Sequence, residues 1–417
     1  MKSAIVGIGA SAGGLEAVSE ILGGLPSHPG VAIIVVQHLD RARDSLLSEI
    51  VGRRTTLPVI EAQDGMPVAS DHVYVIPPNA TLTVDARVLR LSPRPGAGMH
   101  MPIDALFRSL ADDCGEAAVG IVLSGADSDG AAGTQAIKHA GGITFAQDPN
   151  TARVSGMPRS AVETGCIDFV LPAGEIAPEL LRLSAHSYLR PADVPEAVVA
   201  GTDSEASDGA TEGELLRRIF RRLRLSHGVD FSGYKSSTLR RRLARRMAVQ
   251  RIEWLTEYTA FLENDPREAA ALYQDFLIRV TSFFRDPATF SALIEHVFPS
   301  IISGRSPKQP IRIWVPGCAT GEEVYSIAIA LLEYLGDLPP PAGIQIFGTD
   351  ISEAALEKCR AGAYFDSIAQ DVSAERLRRY FVRQDSHYVI ARSIRDLCVC
   401  LPGRTSRETH RSRDWTW

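Results

Sequence analysis

Short apolar runs alternate with stretches of helical spacing over the first 183 residues: AIVGIG, VAIIVV, HVYVIP, AVGIVLSG, GITFAQ and FVLPA. Strands buried on both faces carry no polar alternation, so this rhythm predicts an α/β fold, a doubly wound, mostly parallel sheet with helices on both faces. The pair around Val73 to Ile76 and Leu82 to Leu91, separated by PPNAT, predicts an antiparallel hairpin attached to that sheet. From His186 to Gly213 the apolar period gives way to Pro, Ala, Ser, Asp, Glu, Thr and Gly, which predicts a linker. Leu215, Leu216, Ile219, Phe220 and Leu223 then recur at helical spacing, and a helical pattern runs on to about Phe284. A second α/β section follows, with strand IRIWVPG, turn CATGEE, a helix from Glu322 to about Leu335 and strand IQIFGTD. Strand, Gly-rich turn, helix and a strand closing on Asp is the grammar of a nucleotide-binding half.

Composition narrows the function classes. The chain has 417 residues, enough for two cores and a linker, with 45% hydrophobic and 23% charged residues and a net charge of -6. That charge gives no overall basic field, so nucleic acid is not an expected partner. The run Val31 to Val36 and its like fall far short of the roughly 20 residues that cross a bilayer. No basic, apolar and cleavage segments follow one another after Met1, so the expected location is cytoplasmic, without membrane insertion. Cysteines 114, 166, 318, 359, 398 and 400 form neither a CxxC pair nor a zinc-type set, and read as reduced thiols with no metal site.

The segment AIVGIGASAGGLEAV runs from a strand through a Gly-rich turn into a helix beginning near Gly14. Gly7, Gly9 and Ala12 fit a G-x-G-x-x-A dinucleotide fingerprint, while Gly9, Ser11 and Gly13 fit a G-x-S-x-G nucleophile elbow. A dinucleotide site wants an acidic residue closing the second strand. VAIIVVQHLD offers Gln37 and His38 there, with Asp40 two residues late, which favours the elbow over a nicotinamide oxidoreductase. Each residue also has a bland reading, Ser11 as a helix N-cap and His38 as the end of a strand. The third piece is GIVLSGADSDGAAG, where another strand ends in a loop carrying Asp127 and Asp129. Three strand ends thus deliver a hydroxyl, an imidazole and a carboxylate in the order Ser, His, Asp, unlike the common α/β-hydrolase order.

The set GASAGG, VVQHL, LSGADSDGAAG and GMPRSAV resembles the catalytic domain of the chemotaxis protein-glutamate methylesterase, CheB, across nearly all of the first 183 residues. The resemblance implies Ser11 as nucleophile, His38 as base and Asp129 as orienting carboxylate, with no cofactor for the esterase. Asp127 stands where that family usually has glycine, and a carboxylate there would raise the His38 pKa or repel an oxyanion. His72, His100 and His139 belong to no motif and read as structural or solvated. Such esterases usually carry an N-terminal receiver domain; this chain opens on the catalytic strand, which predicts no phosphorylation control in cis.

GYKSSTLRRRLARRM, VTSFFRD, VPGCATGEEVYSIA and GTDISEAALEKCRAGAY resemble the receptor methyltransferase of chemotaxis, CheR, over roughly Gly213 to Cys398. The resemblance implies S-adenosyl-L-methionine as cofactor, held by Thr281, Arg285, Gly317, Glu322 and Asp350. Arg279 stands where asparagine is frequent in that family. Arg240, Arg241, Arg242, Arg245 and Arg246 line one helix, which reads either as a solvated face or, by resemblance, as a surface docking on acidic receptor helices. After SIRDLCV the family continues into a strand with a cofactor-binding Asn; here LPGRTSRETHRSRDWTW follows, which reads as out-of-frame translation. The expected organisation is an esterase domain at 1–185, a linker at 186–212, a helical subdomain at 213–285, an incomplete Rossmann-like methyltransferase sheet at 286–400 and an aberrant tail at 401–417. Expected partners are chemoreceptor cytoplasmic helices, with sensory kinase components beside them. The rival class is a noncatalytic scaffold that binds receptor or kinase.

Overall fold

The computed structural model describes residues 3–38, 47–95, 100–189, 211–277, 281–303, 309–336, 343–384 and 387–403. They form two compact units, Met1–Ile278 and Arg279–Trp417. The expected linker lies for the most part (190–210), and the expected tail from 404 onward, outside the described residues.

The first unit contains strands β1 (Ile5–Ala10), β2 (Ala32–Gln37), β3 (Val59–Glu61), β4 (Val73–Val75), β5 (Ala80–Asp85), β6 (Val88–Pro93), β7 (Ala118–Val122), β8 (Ile143–Gln147) and β9 (Phe169–Leu171). Seven of them make one sheet in the order β3-β4-β2-β1-β7-β8-β9, every neighbouring pair parallel. The apolar runs reflect two buried faces. Val6, Ile8, Ile33, Val35, Val119 and Ile121 point into one core; Ile5, Ala32, Ile34, Val36, Ala118 and Val122 point into the other. Helices α1 (Gly14–Gly23), α2 (Leu47–Gly52), α3 (Pro102–Cys114), α4 (Ala131–Ala140), α5 (Gly156–Glu163) and α6 (Ala173–Ala185) cover the sheet. The first core takes most of its helical side chains from α1, α2 and α6, with Ala248 from farther along the chain, and the second from α3, α4 and α5.

The expected hairpin from Val73 is corrected. Val73–Val75 pairs parallel with β2 and β3 inside the main sheet, and the antiparallel partner of β5 is β6. Ala86 and Arg87 join them at φ 50° and 59°. Two consecutive left-handed residues are the geometry of a tight hairpin turn, normally flagged by Asn or Gly, and neither is present here.

Gly7 and Gly9 lie within β1 rather than in a phosphate-binding loop. A Cβ on Gly9 would collide with Ile103 Cγ2, and one on Gly7 would sit 2.9 Å from Phe107 Cε1. These glycines let α3 pack directly on the strand, which removes the structural basis of a dinucleotide reading.

Helices α7 (Glu212–His227), α8 (Ser236–Gln250), α9 (Leu255–Asn264) and α10 (Pro266–Phe276) form the helical subdomain. Thr211 and Glu214 close a reciprocal capping box on α7. Neither reading of the arginine helix survives for α8 as a whole, since Arg242, Arg245 and Arg246 are buried. Arg242 donates to the Lys138 carbonyl at 2.8 Å, and Arg245 to the Gly142 carbonyl at 2.9 Å, to Asp275 at 2.7 Å and to Asp168. Arg246 donates to Glu268 at 2.9 Å. At the rim, Arg240 meets Glu212 at 3.0 Å and Arg241 meets Glu116 at 3.4 Å. Much of the arginine stripe is therefore a clamp on the C-terminal end of α4.

The second unit runs α11 (Pro287–Ala292), α12 (Phe298–Ile302), β10 (Ile311–Pro316), α13 (Glu322–Leu335), β11 (Ile344–Asp350), α14 (Glu353–Ala361), β12 (Ala363–Phe365), α15 (Ala374–Tyr380), β13 (Phe381–Gln384), β14 (His387–Ile390), α16 (Arg392–Arg395) and β15 (Cys398–Pro402). Its parallel sheet has the order β10-β11-β15, and β12-β14-β13 form a separate antiparallel sheet. The strand β15 takes in Leu401 and Pro402, where the sequence reading set the start of an aberrant tail. Cys359 on α14 and Cys400 on β15 are disulfide-bonded, against the reading of all six cysteines as thiols.

Candidate active site

The strand order reverses direction at β1, with β2 on one side and β7 on the other, and open α/β sheets bind ligands at such a switch point. Ser11 follows β1, His38 follows β2, and Ser124 to Asp129 follow β7. The register sets Ala10 opposite Gln37, so Ser11 and His38 are neighbours one step beyond the paired strands. The backbone continues the pairing: His38 N donates to Ala10 O at 3.2 Å, and Ser11 N to Ser124 O at 2.9 Å. Gly13, at φ 75°, turns the chain from Ser11 into α1. Gly125 admits both walls of the turn, because a Cβ there would overlap Met157 Sδ and lie 2.8 Å from Ser11 Cβ. The buried Ser124 hydroxyl donates to Ala12 O at 2.8 Å and ties that turn to the β7 loop.

His38 Nε2 lies 2.7 Å from Asp129 Oδ2. Asp129 is fully buried, and its carboxylate also accepts from Ile103 N at 3.0 Å and Asp104 N at 2.8 Å in the first turn of α3. The other ring nitrogen, Nδ1, faces Asp127 Oδ2 at 3.4 Å. Among the described residues no hydrogen bond joins the Ser11 hydroxyl to His38. Burial alone would lower the His38 pKa, but the hydrogen bond and charge of Asp129, then the charge of Asp127, outweigh both that and nearby Arg94, and raise it. A cleft of about 320 Å³ opens beside the imidazole, lined by Gln37, His38, Asn79, Arg94, His100 and Asp127 among others.

Two participants escaped sequence reasoning. Asp104, fully buried, accepts from Gly130 N at 3.0 Å and Gly133 N at 2.7 Å, so it caps α4 while Asp129 caps α3. This exchange of caps fixes the loop that carries Asp129. Burial and the neighbouring Asp129 push the Asp104 carboxyl up to about 7. In sequence it is one acid within an ordinary amphipathic helix. His100, read as structural or solvated, bonds to Thr81 Oγ1 at 3.0 Å and lines the cleft. His72 bonds to the Ser70 carbonyl at 2.8 Å, away from that cleft.

In the second unit the turn after β10 carries Gly317, Ala319 and Gly321 at φ 69°, 47° and 97°. Asp350, closing β11, accepts from Ala319 N at 2.9 Å and Ser352 N at 2.8 Å. Glu322 opens α13 and accepts from Thr320 at 2.6 Å, with Thr281 at 3.5 Å. Burial pushes its carboxyl up, with those hydroxyls pulling the other way. A Cβ on Gly317 would meet nothing within 4 Å, so this turn faces open space with two carboxylates beside it. That donor set fits the hydroxyls and amine of a nucleoside-bearing ligand. Arg285 is exposed, and Arg279 lies outside the described residues.

The first unit is thus a doubly wound parallel sheet that gathers a serine, a histidine and a buried aspartate at its switch point. Residues 6–180 match the CheB methylesterase family model, residues 214–277 the all-alpha domain of CheR methyltransferase, and residues 279–404 the SAM binding domain of CheR methyltransferase. A protein of Leptospira interrogans named for methylesterase and glutaminase activities is 36% identical over 182 residues, 43% of this chain and 94% of that one. Protein-glutamate methylesterase/protein-glutamine glutaminase 2 of Pseudomonas aeruginosa is 41% identical over 187 residues, 43% of this chain and 53% of that one. An uncharacterized 104.1 kDa protein in the hypE 3' region of Rhodobacter capsulatus is 38% identical over 363 residues, 85% of this chain and 38% of its own length. The crystal structure of the Thermotoga maritima CheB methylesterase catalytic domain is 31% identical with a TM-score of 0.42, covering 44% of this chain and 100% of that one. The chain belongs to the CheB methylesterase family and continues into the two domains of a CheR methyltransferase. It spans about two fifths of the Rhodobacter protein and about half of the Pseudomonas one.

Proposed function

We propose that the first domain hydrolyses methyl esters of protein glutamyl side chains through Ser11, His38 and Asp129. The supporting observation is the convergence of three adjacent strand ends, with His38 Nε2 held 2.7 Å from the buried Asp129. Asp129 accepts the hydrogen bond donated by Nε2–H of His38, which leaves Nδ1 as the base. Ser11 Oγ attacks the ester carbonyl while its proton passes to Nδ1. The tetrahedral oxyanion is stabilised by backbone amides of the Ala12 turn and near Ala126, donors of a kind worth roughly a hundredfold to a thousandfold. Collapse breaks the bond to methoxide, which leaves as methanol with the proton from His38. Water then attacks the acyl-serine as the imidazole takes its proton, and that proton passes to Ser11 Oγ as the acyl bond breaks and frees the glutamate. A glutaminyl amide is open to the same sequence with ammonia as leaving group, in line with the double name of the relatives. Chemoreceptor cytoplasmic helices are the proposed substrates, with sensory kinase components as neighbours, in the cytoplasm; among the described residues no helix is long and apolar enough to cross a membrane.

S-adenosylmethionine would supply the methyl group in the second unit, with Thr281, Gly317, Glu322 and Asp350 lining its site and Arg285 beside them. Among the described residues β10 has a neighbour on one edge alone. Trp314 on that strand is 43% exposed. Methanol release from a methylated receptor peptide tests the esterase. Ser11→Ala abolishes it, and a folded Ser11→Ala protein that still releases methanol overturns the assignment. A serine-directed phosphonate that fails to label Ser11 would favour the scaffold reading instead.

A further inference from the structure

The imidazole of His38 lies between two carboxylates, and only one of them has a place in the proposed reaction. Asp129 holds Nε2 at 2.7 Å and Asp127 stands 3.4 Å from Nδ1, the nitrogen that must receive the Ser11 proton. Resting on the esterase reading, we propose that Asp127 is a positioning residue acting as a latch: its carboxylate occupies the Nδ1 side of His38, and the imidazole turns to Ser11 only when that contact opens.

The argument is one of donors and acceptors. A neutral imidazole carries one N–H and one lone pair, while an ionised carboxylate only accepts. With Nε2–H directed at Asp129, an unprotonated Nδ1 would set its lone pair against the Asp127 oxygen. With the proton on Nδ1, the lone pair of Nε2 would face Asp129. Both contacts are satisfied together only by the doubly protonated ring, which is no base. The latched geometry is therefore that of an imidazolium, and opening it is coupled to loss of a proton.

The contact is built rather than incidental. Asp127 Oδ1 accepts from Asp129 N at 3.1 Å, which anchors the side chain in its own loop and leaves Oδ2 directed at the ring. There is room for Asp127 to move aside: its side chain is 47% exposed, and it lines the cleft through which a substrate would approach. The other charged or titratable groups at the ring are Asp129 from the same loop, Arg94 beyond β6, and His100 before α3 across the cleft. Arg94 opposes the imidazolium, so the latch is the balance of Asp127 against Arg94 over a fixed Asp129. Asp127 sits in the Gly/Asp-rich loop after β7, at the position where the resemblance leads one to expect glycine.

The test uses the full chain with Asp127→Gly and Asp127→Asn, read by two measurements. The first is the pH dependence of kcat/KM for ester hydrolysis; the second is the titration of the His38 ring by NMR in a Ser11→Ala background, which needs no turnover. The Asn variant keeps an acceptor for the Asp129 N–H and removes the charge, so it separates the latch from the turn. For a partly exposed ion pair, the acid limb and the ring titration both move to lower pH by on the order of half a unit in both variants. At pH values below the wild-type midpoint, kcat/KM rises roughly threefold, chiefly through kcat. A ring titration unchanged in either variant overturns the latch and leaves the esterase reading intact. A titration that moves while the acid limb does not overturns the catalytic meaning of the contact. A limb that moves in Asp127→Gly alone assigns Asp127 to the turn and also overturns the proposal.

Discussion

Arg245 is the firmest point of attachment between α8 and the sheet domain, and Arg245→Leu tests whether the arginine helix is structural. In the native protein its guanidinium is fully buried and meets Asp168, Asp275 and the Gly142 carbonyl. Lys138 also lies 3.1 Å from Asp168 and 3.6 Å from Asp275, so a cation stays beside both. Removing one partner of a buried pair costs about 3–5 kcal/mol, and the surviving lysine argues for the lower end, about 3 kcal/mol. For a unit of this size that corresponds to a fall in Tm of roughly 6–12 °C, read by calorimetry or circular dichroism. The pH dependence carries the sharper test. Burial would raise the Asp168 carboxyl, but Arg245 and Lys138 outweigh it and hold it well below the usual carboxylate range. A depressed folded-state pKa contributes stability that is present above an unfolded value of about 3.9 and is lost as pH falls through the folded one. Loss of the guanidinium weakens that hold, so the variant's deficit is largest near neutrality and shrinks on acidification, where the stranded carboxylate takes a proton. A variant within about 1 kcal/mol of wild type at neutral pH, or a deficit flat with pH, would refute the clamp and return α8 to the surface.

Four other outcomes follow from the structure. Asp104→Asn keeps an acceptor for Gly130 and Gly133 but cannot ionise; because the folded Asp104 titrates at about 7, above its unfolded value, wild type loses stability as pH rises between the two and the Asn variant does not. Asp104→Ala strands those two buried N–H groups, and urea unfolding should show a loss of about 2 kcal/mol together with a fall in ester turnover. Gly9→Ala drives a methyl into Ile103, so its urea midpoint should drop by the equivalent of about 1–3 kcal/mol; a neutral outcome would mean that α3 rides higher on β1 than described. Titration calorimetry with S-adenosylmethionine tests the proposed site in the second unit: Glu322→Gln and Asp350→Asn are expected to weaken binding, and an isotherm unchanged in both would overturn the assignment.

The strands and the rim residues were legible because each follows from local pattern. A run such as VAIIVV is buried on both faces wherever it sits in a parallel sheet, and the residue after it, His38, must emerge at the carboxyl edge. Ser11 was read the same way, by where an apolar run stops; the run before Ser124 led only to a loop with Asp127 and Asp129, and the choice of Asp129 came from the family resemblance. The β5–β6 turn was missed because Ala86 and Arg87 adopt left-handed backbone without the residues that advertise it.

By itself the sequence determined the alternation of strand and helix, the switch from sheet domain to helical subdomain, and which side chains end strands, since all of these are short-range consequences of hydrophobic spacing. Tertiary structure decided what those side chains meet. It set Asp104 against the α4 N-terminus and Arg245 against Asp168, pairs separated by 26 to 77 positions whose partners no local period encodes. It also gave Asp127 the nitrogen opposite Asp129, because the direction of a loop carboxylate depends on the backbone N–H that anchors it and on the ring delivered by another strand.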